Sequence, residues 1–424
     1  MLVEWRIEMK EHSRILIQLL STAIRGQKPA SSLLTEMASH NLNHIWNEIY
    51  DEALAHEVHT LIYPILSDLP PELKPDNDLM SKWKRETIMS AAEQINHMEM
   101  ISKVFTRFHE ENIPVIALKG LVIRDNYPHP ELRTMGDADI LVKNEDIKKA
   151  KKVLKEMGYC GGEDSIKHIH YYHETSLSLE LHWIITELDE KKGLSNFTKH
   201  IWNHAISNNI CGVPILTLSA QDQLVHLLTH SLTHLHTSGF GLRQICDIVL
   251  YMEANSQYMN WPLVMDMINE YHIHNFFYLI INLCNQLFQY VVPNEIQDTK
   301  IKVPDSMVHI VMEEIIHSGV YGRRSYEQET SVRINKYIDI TGDTANKSSS
   351  RNKFKHFALF MFPTRNKLNY QYKYAKKIPI LLPIAWLHRG LLNLKRLNTM
   401  KQLDNPDIIT TVNARSKLLH WLQQ

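Results

Sequence analysis

The sequence predicts an α+β fold, in which a small mixed sheet is embedded in a largely helical chain. Three observations predict it. Residues 113–185 hold short runs that are either continuously apolar or strictly alternating, each bounded by turn residues, as strands are. The segments on either side carry apolar residues at helical spacing instead. The strand-like runs also carry carboxylates at alternate positions, which places a polar cluster on one face of the sheet.

Residues 1–110 read as helical. Ile7, Ile15, Leu16, Leu19 and Leu20 share a face, and Gly26 ends that helix. A second helix is expected over Ser31–Leu42 and a third over Ile45–Tyr63, with Pro64 as its stop. LPPELKPDND (69–78) is a proline-rich break, and a long amphipathic helix follows it. That helix delivers the chain into IPVIAL, whose unbroken apolar run suits a strand buried on both faces. Lys119-Gly120 turns the strand into a short helix that Pro128 and Pro130 terminate. DADILV (137–142) is the next strand. The helix after it places Ile147, Ala150, Val153, Leu154 and Met157 on one face, and Gly158 closes it. HIHYYHE and SLSLELHW alternate like the two arms of a hairpin. Beyond Leu188 the helical pattern returns, interrupted by GVPILTLS, which reads as a short strand or extended arm. Ser219 and Asp222 form a capping-box-like start to a histidine-rich helix.

Composition bounds the function. Of 424 residues, 44% are hydrophobic and 22% charged, ordinary values for a globular chain with a sizeable core. A net charge of -1 excludes nucleic-acid binding by bulk electrostatics. The four cysteines form no CxxC pair and suit a reducing compartment. The N-terminus has no uninterrupted apolar segment like that of a secretory signal, and no run reaches the roughly 18 apolar residues of a membrane span. The expectation is a cytoplasmic protein.

The chemistry is expected at Asp137, Asp139 and Glu180. Residues i and i+2 of a strand point to one face, so Asp137 and Asp139 project together while Ala138 and Ile140 enter the core. Two carboxylates so placed repel unless a cation stands between them. Mg²⁺ is the expected ion, with Mn²⁺ as an alternative, because a hard ion takes carboxylates together with phosphate oxygens. Two ions about 3.5–4 Å apart can activate an attacking oxygen and stabilise departing pyrophosphate. Glu180 is expected to ligate a metal or to take the acceptor's proton, with His182 on the same strand face. Gly120 lets backbone N–H groups approach a phosphate, Lys119 adds a positive charge beside it, and Arg133 is placed to clamp a triphosphate or acceptor.

LKG (118–120), the arginine-to-GDADILV run (133–142), the helix ending in GY (158–159) and LELHW (179–183) together resemble the DNA polymerase β-like nucleotidyltransferase superfamily. Within it they look most like the bacterial uncharacterised nucleotidyltransferase family. Weaker echoes lie in the histidine-rich helix, LRQICDI (242–248) and LFMFPTRNKL (359–368). The resemblance implies transfer of a nucleoside monophosphate from an NTP to an acceptor, with Mg²⁺. It implies that Gly120 is the nucleotide-binding glycine, Asp137 and Asp139 the metal-binding pair, and Glu180 the third carboxylate. The wider superfamily has Gly-Gly or Gly-Ser where this chain has Lys119-Gly120. The acceptor stays open between a small molecule, a sugar, a peptide and RNA.

His226, His230 and His234 stack on one helix face at i, i+4 and i+8. They are expected to line a cleft or a polar seam, with His226 and His230 as substrate-lining candidates. Of the histidines flanking the catalytic strand, only His170 is expected near Glu180. Arg243 and Asp247 are expected to pair with each other. Residues 351–401 hold 12 Lys and Arg and no Asp or Glu, interleaved with aromatics, which suits an anionic substrate or weak peripheral contact with a membrane. The expected organisation is a helical region (1–110), a catalytic core (111–190), a helical acceptor region (191–321), a linker (322–350) and a basic C-terminal region (351–424). Two other functions were weighed: a catalytically silent nucleotide-binding module and a His-ligated metallohydrolase.

Overall fold

The structure is a computed structural model that describes residues 9–164, 167–185, 196–237, 239–297, 302–319, 374–375, 379–394 and 406–423. The chain forms two compact units, Met1–Arg324 with His420–Gln424, and Ser325–Leu419. The linker expected at 322–350 lies outside the described residues, as does most of the basic region.

The first unit is built on one mixed sheet of seven strands: β1 (Val115–Ala117), β2 (Asp137–Val142), β3 (Cys160–Asp164), β4 (His168–His173), β5 (Ser176–His182), β6 (Ile206–Ile210) and β7 (Val213–Thr217). Their order in space is β3-β4-β5-β2-β1-β7-β6. β2 lies parallel to β5 and antiparallel to β1. GVPILTLS supplies β7, which pairs parallel with β1 and carries β6 on its outer side. The sheet therefore draws two strands from beyond residue 190. β6 (ISNNI) went unread because its side chains are mostly exposed and polar, and β3 (CGGED) because two glycines blank its alternation.

One face of the sheet is apolar. Ala138, Ile140, Val142, Leu179 and Leu181 pack there with Ile101, Val104, Phe105 and Phe108 of the long helix Asn77–Glu110. Asp76 caps that helix by accepting a hydrogen bond from the Leu79 backbone N–H at 2.8 Å. Ala150, Val153 and Leu154 of the helix Ile147–Glu156 join the same cluster, and Gly158 follows it at φ +89°.

Pro64 does not end its helix. The chain breaks earlier, between the helices Leu42–Ala55 and His59–Asp68, at Glu57 with φ +54°. Pro64 is the sixth residue of the second helix, where its missing N–H forgoes only one intrahelical bond. The second helix also stops at Ala38, short of Leu42. The opposite face of the sheet looks toward the helices Ala220–Thr237 and Leu242–Ala254. Ser219 caps the first of these as expected, accepting from the Asp222 N–H at 3.2 Å. Among the described residues no helix is long and apolar enough to cross a membrane. In the second unit, PILLPIAWL (379–387) forms a 3₁₀ turn (Pro379–Leu381) and the start of the helix Leu382–Leu394, with Ile380, Ile384 and Leu387 exposed.

Candidate active site

The polar face of the sheet lines a cavity of about 300 Å³. Asp137, Asp139, Glu180 and His182 reach it from β2 and β5, and His168 and His170 from β4. Register explains the convergence. Asp139 stands opposite Glu180, which stands opposite His170 one strand further on. His182 stands opposite His168. Residues in register across neighbouring strands share a face, so these two rungs and a third, where Asp137 stands opposite Ser178, carry the cluster.

Asp139 is the most tightly held of the acids. Its Oδ1 accepts from Lys119 Nζ at 2.8 Å and lies 2.9 Å from His182 Nε2. His182 Nε2 also lies 3.0 Å from Oε2 of Glu180, while His170 Nε2 lies 3.0 Å from Oε1. Burial alone would raise the pKa of Asp139, but Lys119 and His182 together hold it well below the ordinary value. Burial pulls the Lys119 ammonium down, and the carboxylates of Asp139, Glu180 and Asp137 more than offset this, so its pKa ends above the usual one. His182 rises for the same reason, its burial outweighed by hydrogen bonds to Asp139 and Glu180. Burial would raise Glu180, but the His182 hydrogen bond and the charges of Lys119 and His182 together leave it lowered. Asp137 behaves oppositely. Burial and then the charge of Asp139 push it up to about 6.

This donor set fits a divalent cation. It consists of hard carboxylate oxygens, a lysine and a histidine already stand as cationic or donor groups on Asp139, and Asp137 carries charge that a cation would relieve. His168, Glu180 and His182 also offer ligand atoms within 4.8 Å of one another. The helix histidines form no such group among the described residues.

Gly120 lies where the expected glycine should, and its role is steric as well. A Cβ there would meet Arg133 Nη1 at 2.7 Å and Met135 Sδ at 2.8 Å. Arg133 lines the cavity but is committed elsewhere. Its Nε and Nη2 donate to the two oxygens of Asp247 at 3.1 and 2.5 Å, and the Tyr127 hydroxyl donates to Asp247 Oδ1 at 2.8 Å. This corrects the expected Arg243–Asp247 pair. Arg243 instead bonds Glu57 and the Thr134 carbonyl. A two-point guanidinium–carboxylate contact outcompetes a single i, i+4 contact on a helix surface. Sequence reading missed the Arg133–Asp247–Tyr127 network. Its one signal was two charges, Arg243 and Asp247, set among the mostly apolar first half of a helix.

His230 and His234 line the cavity with their Nε2 atoms 2.9 Å apart. His226 does not reach the lining; it is buried, with no hydrogen-bond partner for either ring nitrogen among the described residues. Burial, and next the positive charge of Lys119, lower His226 to about 3 and His234 to about 4. His230 is lowered well below its ordinary value by the same two causes in the same order. All three are neutral at pH 7.

The sheet, the paired acids and the glycine turn are the parts expected of a nucleotide-handling transferase, and the family match gives that class. A family model described as uncharacterised nucleotidyltransferase matches residues 43–289, more than half of the chain. The chain belongs to that family and is an enzyme of the nucleotidyltransferase class. No curated protein matches the sequence. Similar solved structures include the antibiotic-resistance factor ANT(2'')-Ia, at 12% identity and TM-score 0.29, covering 37% of this chain and 83% of that one. Another is the lincosamide antibiotic adenylyltransferase LnuA with lincomycin bound, at 16% identity and TM-score 0.28, covering 36% and 94%. A third is an antigenic nucleotidyltransferase-like protein from Paracoccidioides brasiliensis, at 12% identity and TM-score 0.30, covering 48% and 96%. Likenesses of this degree carry no argument about substrate, and the class assignment rests on the family.

Proposed function

We propose that the protein transfers a nucleoside monophosphate from an NTP to an acceptor and releases pyrophosphate, with Mg²⁺ bound at Asp137, Asp139 and Glu180. The observation that carries this reading is the convergence of those three carboxylates with Lys119 on one cavity. Bound there, Mg²⁺ would neutralise phosphate charge and sharpen the attacking oxygen. The chain's own residues do the rest. The Lys119-Gly120 turn and Arg133 set the positively charged end of the cavity for the triphosphate. Asp247 and Tyr127 lock Arg133 in one orientation, which lowers the cost of ordering it on binding. The acceptor's proton passes to the hydrogen-bonded chain of Glu180, His182 and His170. The neutral edge formed by His230 and His234 faces the acceptor side. The core at 111–190 carries the chemistry, and the helices of 191–321 select the acceptor. Ile380, Ile384 and Leu387, exposed in a basic region, support weak peripheral contact with a membrane.

Purified full-length protein, incubated with Mg²⁺ and each α-labelled NTP beside cell extract, should label one acceptor pool and release pyrophosphate. No labelling with any NTP, combined with tight NTP binding by calorimetry, would replace this reading with that of a silent nucleotide-binding module. One observation favours that second reading: Lys119 and His182 already occupy Oδ1 of Asp139.

A further inference from the structure

Lys119 stands where the chain leaves β1 for the helix Gly120–Ile123, at φ +47° and ψ −121°. An L side chain is disfavoured in that conformation, and glycine adopts it without penalty. A lysine kept there against its backbone preference implies that its side chain matters at this place. The half-buried ammonium lies 2.8 Å from Asp139 Oδ1. His182 Nε2 lies 2.9 Å from the same oxygen and 3.0 Å from Glu180 Oε2. It therefore bridges two carboxylates on neighbouring strands, in the position of a cation that both would share. Asp137, by contrast, lines the same cavity and forms no ion pair among the described residues.

We propose that Lys119, assisted by His182, stands in for one of the two divalent ions of a two-ion site. The protein would then need a single ion, brought in with the nucleotide and held by Asp137 and the remaining oxygen of Asp139, with Glu180 left to His182 in place of the metal. This rests on the nucleotidyltransferase reading above and narrows its metal requirement. The physical logic is the competition for carboxylate oxygens. Lys119 and His182 already take Oδ1 of Asp139, and His182 also takes Oε2 of Glu180, which leaves Asp137 and Oδ2 of Asp139 as the carboxylate oxygens open to an ion.

The test counts ions. Full-length protein is saturated with Mn²⁺ and a mixture of the four α,β-methylene nucleoside triphosphates, then desalted rapidly. Retained Mn²⁺ is measured by electron paramagnetic resonance after acid release, and retained nucleotide by absorbance. Wild type should hold one Mn²⁺ per nucleotide, and Lys119→Gly should hold two. Two per nucleotide in wild type, or one in the variant, would overturn the proposal. A second measurement does not need nucleotide. Lys119→Met leaves the carboxylates without their ammonium, so its melting temperature should gain more from Mn²⁺ over EDTA than that of wild type. Equal gains would overturn the proposal. Absence of any retained nucleotide would instead sink the underlying reading of the site, while the melting comparison still decides the role of Lys119.

Discussion

The two faces of the central sheet are made by the same strands and obey opposite rules. From DADILV, Ala138, Ile140 and Val142 enter the apolar cluster beneath the long helix, and Asp137 and Asp139 enter the cavity. From SLSLELHW, Leu179 and Leu181 go one way and Glu180 and His182 the other. On the apolar face each side chain contributes by being out of water, and neighbours of similar shape can replace one another. On the polar face the charges of Asp139, Glu180 and Arg133 are tolerable because named partners meet them. Stability is therefore spread over many residues on one side and tied to specific pairs on the other.

That contrast can be broken at single positions. Asp139→Asn should have the largest effect. Turnover should fall on the order of 10³-fold, since the residue sits at the centre of the charge network. The same change removes the carboxylate that meets the half-buried Lys119 ammonium, and the urea midpoint should report a loss of about 1–3 kcal/mol. Turnover within a few-fold of wild type would remove the polar face from the chemistry. Ile140→Ala, one residue along and fully buried on the other face, should cost about 2–5 kcal/mol of stability. Its turnover per folded molecule should stay near that of wild type; a drop matching that of Asp139→Asn would mean the two faces are not separable.

Asp247→Asn sharpens the comparison at the cavity wall. Arg133 keeps its place but loses its counter-charge, so a cost of about 3 kcal/mol and a raised KM for NTP are expected. A change in kcat alone would argue against a role in holding the triphosphate. The smallest effect should come from pH. His226 and His234 titrate at about 3 and about 4 in the fold, below the ordinary 6.5 of an unfolded chain. Their contribution is thus complete above pH 6.5 and is lost as pH falls from there toward 4 and 3. The urea midpoint should drop between pH 7.5 and pH 5. His226→Leu should flatten that drop by about 2 kcal/mol, and an unchanged slope would show that His226 is not a buried neutral group.

Much of this was legible in the residue order. The alternation in DADILV and SLSLELHW told which side chains share a face before any neighbour was known. The hairpin, the long helix and the start of the histidine helix at Ser219 were legible for the same reason, since each is a local pattern. β3 and β6 were not, because glycine and exposed polar residues leave no alternation to read. The reach of Pro64 was misjudged because a proline one residue past the first turn costs a single bond, which tertiary packing can absorb.

What the amino-acid order determined alone was the α+β class, the strands carrying Asp137, Asp139 and Glu180, and the glycine turn ahead of them. Local periodicity and turn chemistry suffice for those, because they depend on residues a few positions apart. Tertiary structure alone decided who meets whom. It set Asp139 opposite Glu180 in parallel register, turned Arg133 to Asp247 and Arg243 to Glu57, and brought Lys119 and His182 to one carboxylate oxygen. Such pairings join residues tens of positions apart and leave no period in the chain. They are settled by which buried charge finds the best-satisfied partner once the strands and helices have packed.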